Sequence, residues 1–221
     1  MSPAFRSPHF ILFDLDGTLV DSAPDLVGAL DALLEMHGRA PVGLAEGRTM
    51  IGEGAARLVE RGFAARGGLH LALDDLVPDF VARYEDRLTR QTRPYPGVIE
   101  TLGALAQRGL ALGVCTNKPD RATARILEAL DLARYFTSVV GGDGVRKPAP
   151  DPVLRCLAGL GGHPGAALFV GDSPVDHAAA RAAGLPVALV SFGYTAIPAR
   201  DIGADHVIDR MTDLLDLMDR A

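Results

Sequence analysis

The chain has 221 residues and a mass of 23.2 kDa, enough for one large domain or for a core carrying an insert. Hydrophobic residues make up 48% and charged residues 23%, an ordinary globular balance, and the net charge of −6 argues against a nucleic-acid binder with its basic stripe. No apolar stretch nears the ~20 residues of a membrane span, no signal-peptide pattern is present, and two cysteines cannot build a disulfide framework or a cysteine-rich zinc site. The expectation is a cytoplasmic protein with no membrane or nucleic-acid partner, in which Cys115 and Cys156 are small core residues.

The first predicted strand is the apolar run Phe10-Ile11-Leu12-Phe13, which runs directly into Asp14-Leu15-Asp16-Gly17-Thr18. A strand tip is where an open α/β sheet presents its ligands, and Gly17 lets the backbone turn away. Strand alternation would put Asp14 and Asp16 on one side and Leu15 on the other. Two carboxylates about 5 Å apart repel by roughly 3 kcal/mol at an effective dielectric near 20. Such a pair is kept when a cation lies between its members or when it does chemistry. A solvated turn after a strand is the plainer alternative.

From Asp21 to Arg93 the pattern is helical throughout. Ser22 is placed to cap a helix carrying Leu26, Leu30, Leu33, Leu34 and His37 on one face, closed by Gly38. A second helix opens at Gly54 with Leu58, Val59 and Phe63, and a third carries Leu73, Leu76, Phe80, Tyr84 and Leu88. Residues 21–94 are therefore expected to form a helical module inserted into an α/β core of residues 1–20 and 95–221. Arg48 and the segment to Gly54 precede a helix start, where free amides favour an anion; a tight helix-to-helix turn is the other reading.

Beyond residue 95, strands alternate with helices. Strands are expected at Leu110–Cys115, Ser138–Val140, Ala166–Val170 and Pro186–Val190. Helices are expected over Asp120–Leu130, Asp151–Leu160 and Val175–Ala183, the last two stopped by Gly161-Gly162 and Gly184. That alternation indicates βαβ units and a parallel sheet. Polar groups follow each strand: Thr116 and Asn117 after the first, Lys147 beyond the second, and Asp172 with Asp176 after the third. Taken singly, Thr116 reads as a strand-end hydroxyl, Lys147 as a surface lysine, and the two acids as helix caps. Taken together with Asp14 and Asp16, they gather oxygen ligands suited to Mg²⁺ beside donors suited to phosphate oxygens.

The order Asp-x-Asp-Gly-Thr, Thr-Asn, Lys-Pro and Gly-Asp-Ser-x-x-Asp resembles the haloacid dehalogenase superfamily over nearly the whole chain, helical insert included. Tyr95-Pro96-Gly97-Val98, Thr116-Asn117-Lys118-Pro119, Gly141-Gly142-Asp143 and Lys147-Pro148 are most similar, within it, to the phosphoglycolate phosphatase family. The resemblance implies a Rossmann-like core with an α-helical cap and hydrolysis of a small-molecule phosphate ester by a monomer or homodimer. It implies Asp14 as nucleophile, Asp16 as general acid and base, and Lys147 as a charge partner. Mg²⁺ would be held by Asp14, the Asp16 carbonyl and Asp172, with Asp176 behind them. Thr116, Asn117 and Lys147 would bind phosphate, and Arg48 the substrate carboxylate. Another sugar-phosphate phosphatase, a phosphomutase, a dehalogenase and a phospho-aspartate receiver module are the alternatives at this point.

Overall fold

The computed structural model describes residues 8–219. The chain divides into two compact units, one running to Val20 and resuming at Pro94, the other spanning Asp21–Arg93. The first unit is built on a parallel sheet. Its strands are β1 (Phe10–Phe13), β4 (Ala111–Cys115), β5 (Ser138–Val140), β6 (Ala167–Gly171), β7 (Val187–Val190) and β8 (His206–Ile208), in the order β5-β4-β1-β6-β7-β8. Two further short strands, β2 (Val20–Asp21) and β3 (Arg93–Pro94), pair where the chain leaves and re-enters this unit.

The sheet order determines where a ligand can bind. After β1 the chain builds outward through β4 to β5, then jumps across β1 to begin again at β6. β1 is bonded to β4 on one side (Phe13↔Val114) and to β6 on the other (Phe13↔Val170). The strand order thus reverses at β1, and the crevice beyond the carboxyl ends of strands at such a point is the ligand site of open α/β sheets. Asp14 is the first residue past that end.

The strands read as near-continuous apolar runs because helices flank the sheet. Helix α7 (Asp151–Gly159) packs on β1, β4 and β5, and α8 (Pro174–Ala182) on β6 and β7. Leu12, Cys115, Phe169, Val187 and Leu189 face them and meet Val153, Cys156, Leu157, Ala179 and Ala183. Burial pushes the Cys115 thiol up to about 12 and the Cys156 thiol up to about 11, so both stay protonated and inert at neutral pH. Helices α5 (Val98–Gln107), α6 (Asp120–Ala129) and α9 (Asp213–Asp219) complete the unit, α5 resting on α9. The sequence pattern did not distinguish α5, α9 or β8.

The second unit is helical. Helix α1 (Ala23–Met36) packs against α2 (Gly43–Arg48), α3 (Ala55–Ala64) and α4 (Leu73–Glu85). Leu26, Leu30, Leu33 and Leu34 of α1, Leu58, Val59 and Phe63 of α3, and Leu76, Phe80 and Tyr84 of α4 are buried, at the spacing of one helical face each. The short α2 was not foreseen, because six residues carry too little periodicity to stand out. Ser22 makes no capping bond through its side chain; Asp21 Oδ1 accepts from Ala23 N at 3.2 Å instead.

Asp25, in the first turn of α1, is fully buried and accepts from Gln91 N at 2.9 Å, Thr92 N at 2.8 Å and Thr92 Oγ1 at 2.8 Å. It ties the first turn of the unit to its last residues, so its removal strands two amides. Asp25→Ala should cost about 2–4 kcal/mol of stability, the scale for leaving such donors unpaired. Urea denaturation measures this, and a change under about 0.5 kcal/mol, the size of a neutral surface substitution, would show that the clamp carries no weight.

Candidate active site

Four segments converge beyond the strand ends: the turn after β1, the loop after β4, the loop after β5, and the start of α8. The centre is the Lys147 ammonium. Its Nζ lies 2.9 Å from Asp14 Oδ1 and donates to Asp176 Oδ1 at 2.6 Å. It also lies 5.3 Å from the centroid of the Phe169 ring. Lys147 is 4% exposed and Asp176 1%. Lys147, a surface lysine on its own sequence evidence, is therefore the buried counter-charge of two acids.

Each of these side chains is held by identifiable contacts. Asp176 Oδ2 accepts from Ser173 N at 3.1 Å and Ser173 Oγ at 2.6 Å, and Ser173 Oγ accepts from Asp176 N, which makes a capping box for α8. Both Asp176 oxygens are thus engaged. Asp172 Oδ2 accepts from Tyr194 N at 2.8 Å. The carboxylate fits there because two glycines make room: a Cβ on Gly17 would lie 2.5 Å from Asp172 Oδ2, and one on Gly193 2.2 Å from Asp172 Cβ. Gly17 also has φ +86°, which other residues adopt only with strain.

The loops after β4 and β5 are knitted together. Asn117 Nδ2 donates to Lys147 O at 2.9 Å, and Lys147 N donates to Asn117 Oδ1 at 2.9 Å. Gly142 N donates to Lys118 O at 2.8 Å, and Asp120 N to Asp143 Oδ2 at 3.1 Å. Asn117 therefore uses both ends of its amide to grip the backbone of Lys147, whose bond to Pro148 is cis. The resemblance implies it as a phosphate donor, and these two bonds leave the second Nδ2 hydrogen for that use. Thr116 is buried, and its Oγ1 accepts from Lys118 N at 3.2 Å, which leaves the hydroxyl proton to donate elsewhere.

Asp16 does not share the Asp14 cluster in the way strand alternation implied. β1 ends at Phe13, and the chain is already turning at Leu15. The Asp16 carboxylate instead meets Lys118, with Nζ 3.1 Å from Oδ1 and 3.0 Å from Oδ2. Sequence reasoning passed over Lys118 as a functional residue. One signal was present: Lys118 and Lys147 are the only two lysines in the chain. Both are buried, and each meets a carboxylate from the turn after β1. Arg48 lies in the helical unit, where its Nη2 is 2.7 Å from Asp21 Oδ2.

One carboxylate oxygen from each of Asp14, Asp172 and Asp176 lies within 4.8 Å of the other two. Three buried acids against one buried ammonium leave negative charge uncompensated. Burial, the largest cause, raises Asp14 to about 6, with Lys147 opposing and Asp176 adding to the rise. Burial also holds Asp172 well above the ordinary carboxylate range, reinforced by the charges of Asp176 and Asp14. Burial disfavours the charged form of Lys147, but Asp14 and Asp176 outweigh it and raise that group above the usual lysine value. An oxygen-only set of three buried carboxylates, whose charge one ammonium offsets only in part, fits a hard divalent cation. Both Asp176 oxygens are already bonded, to Lys147 and to Ser173.

Residues 11–190 match the family model described as haloacid dehalogenase-like hydrolase. The chain is 45% identical over 217 residues to a phosphoglycolate phosphatase of Rhodospirillum rubrum, covering 95% of this chain and 90% of that one. It is 43% identical over 211 residues to a phosphoglycolate phosphatase of Caulobacter vibrioides, covering 92% and 88% respectively. Among solved structures it is similar to a predicted phosphoglycolate phosphatase of Haemophilus somnus, with TM-score 0.88 and 33% identity over 97% of this chain and 99% of that one.

The uncompensated charge predicts a thermal shift. A divalent cation at a hundred times its Kd should add about 2.7 kcal/mol, roughly 5–10 °C in Tm for a chain of this size. Asp172→Asn should abolish most of that shift while the apo protein stays folded. An equal shift in wild type and variant would place the cation elsewhere.

Proposed function

The chain belongs to the haloacid dehalogenase-like hydrolase family, and on that premise we propose that it hydrolyses 2-phosphoglycolate to glycolate and inorganic phosphate through an aspartyl-phosphate. The observation that carries this reading is the convergence of Asp14, Lys147, Asp172 and Asp176 at the point where the sheet order reverses. The substrate rests on the relatives named above, which carry that activity in their names over nearly their whole length.

In the proposed reaction an Asp14 oxygen attacks phosphorus in line, and the bond from phosphorus to the glycolate oxygen breaks. Asp16 gives its proton to the departing alkoxide. It then takes a proton from the water that attacks the phosphoryl group and returns Asp14 to its carboxylate. Lys147 offsets the charge that gathers on the phosphoryl oxygens, and the Thr116 hydroxyl donates to one of them. Asn117 serves by keeping Lys147 in place. Asp14, the Asp16 carbonyl and Asp172 would hold Mg²⁺, which would supply positive charge against the developing negative charge of the reaction. Arg48 is the proposed substrate contact of the helical insert, its charge shared with Asp21.

Initial rates across a panel of small phosphate esters with Mg²⁺ test the function. 2-Phosphoglycolate should give the highest kcat/KM, and a clear preference for a sugar phosphate would replace it as substrate. Asp14→Asn should lower kcat at least a hundredfold, a loss of ~2.7 kcal/mol in transition-state stabilisation. A smaller loss would remove Asp14 as nucleophile. Asp16→Asn should spare phosphorylation by aryl phosphates, whose leaving groups need no proton, yet slow hydrolysis of the phosphoenzyme. Equal loss with good and poor leaving groups would count against its acid–base role.

A further inference from the structure

The second lysine has no part in the scheme above, yet its placement is as constrained as that of the first. Lys118 is 6% exposed. Its backbone is fixed on both sides: the amide donates to Thr116 Oγ1 at 3.2 Å, and the carbonyl accepts from Gly142 N at 2.8 Å and Thr123 Oγ1 at 3.3 Å. Its Nζ reaches both oxygens of Asp16, at 3.1 and 3.0 Å. Burying the lysine of a partly buried ion pair is costly and weak evidence for stability alone, so a functional reason for it is worth seeking.

The chemistry of the substrate supplies one. In 2-phosphoglycolate the carboxylate carbon is two bonds from the oxygen that leaves phosphorus. An oxygen taking a hydrogen bond from Asp16 sits about 2.7 Å from that carboxyl group. The carboxylate two bonds away can then reach the Lys118 ammonium, which touches the same Asp16. An ammonium with three N–H donors can serve two carboxylates at once, as Lys147 does with Asp14 and Asp176. A flexible stem and rotatable donors suit lysine to such a bridge better than the planar fork of arginine.

We propose that Lys118 is the specificity-determining residue of the core, bridging Asp16 to the substrate carboxylate and so holding the leaving oxygen against Asp16. The inference rests on the phosphoglycolate reading and deepens it. It assigns recognition of the carboxylate to the loop after β4, ahead of Arg48, whose guanidinium is shared with Asp21. A small phosphate ester with an anionic group next to the leaving carbon is the favoured class, and one lacking it is handled without this contact.

The test compares 2-phosphoglycolate with ethyl phosphate, which has a similar leaving group and no carboxylate, and reads the ratio of the two kcat/KM values within each protein. Wild type should favour phosphoglycolate. Lys118→Met should lower the ratio tenfold to a hundredfold, the scale of one charge-assisted contact, with KM for phosphoglycolate rising. Lys118→Arg, which keeps the charge but not the rotatable donors, should recover only part of the ratio, and Arg48→Ala should lower it by a smaller factor than Lys118→Met. If Lys118→Met lowers both substrates by the same factor, or only Arg48→Ala moves the ratio, the proposal is overturned. If wild type shows no preference for phosphoglycolate, the substrate reading itself fails and the inference falls with it. Should circular dichroism show Lys118→Met unfolded, Lys118→Gln carries the same comparison.

Discussion

Three carboxylates and one ammonium buried together are the constraint on which the rest of this site depends. Acids placed out of water repel one another and resist ionisation, which is why burial pushes Asp14 up to about 6 and also raises Asp172. Lys147 compensates only part of that charge. The surrounding structure serves to keep the crowd in place. The capping box of α8 fixes Asp176, the Tyr194 amide fixes Asp172, Asn117 grips the Lys147 backbone, and Gly17 and Gly193 leave room for the Asp172 carboxylate. This excess of negative charge suits the site to a divalent cation, which would offset it before an anionic phosphoryl group is brought in.

The fold puts this arrangement where it is needed. β1 lies between the two halves of the sheet, so its last residue is bordered by the loops after both β4 and β6. The turn after β1 then supplies two acids with different surroundings. Asp14 faces Lys147 and the acids beyond β6, while Asp16 faces Lys118 in the loop after β4. Two acids two positions apart thereby acquire separate partners. The chain spends its only lysines here and leaves every other cationic side chain as arginine or histidine. A compact charge on a flexible stem can be buried against one or two carboxylates without demanding a planar partner.

Much of the α/β core could be read from the sequence, because buried parallel strands leave short apolar runs and the helices between them leave a period near 3.6. The polar clusters after those runs were legible for the same reason: a charged residue just past a buried strand stands out. Partnership was not legible. Nothing in the pattern around Asp25 separates a clamp on Thr92 from a helix-capping acid, since its partners lie 66 and 67 residues away. Nor does the pattern around Asn117 show that its amide also holds the Lys147 backbone. Asp16 was expected beside Asp14 on strand alternation, but the strand ends before either acid, and the turn sends the two carboxylates to different lysines. The short α2, α9 and β8 escaped because few residues carry their pattern. Residues 21–93 read as helices only, since a long stretch without a strand signal cannot join a parallel sheet, and Asp21–Arg93 forms a compact unit.

The central claim is that Asp14 takes the phosphoryl group onto itself before water does. The stereochemistry at phosphorus tests it most directly, using phosphoglycolate made chiral with three oxygen isotopes in the presence of Mg²⁺ and a distinguishable acceptor alcohol. Two successive in-line displacements, first by Asp14 and then by the acceptor, must leave the configuration retained. Inversion would mean a single displacement by the acceptor itself, and Asp14 would then be a ligand or base rather than the nucleophile.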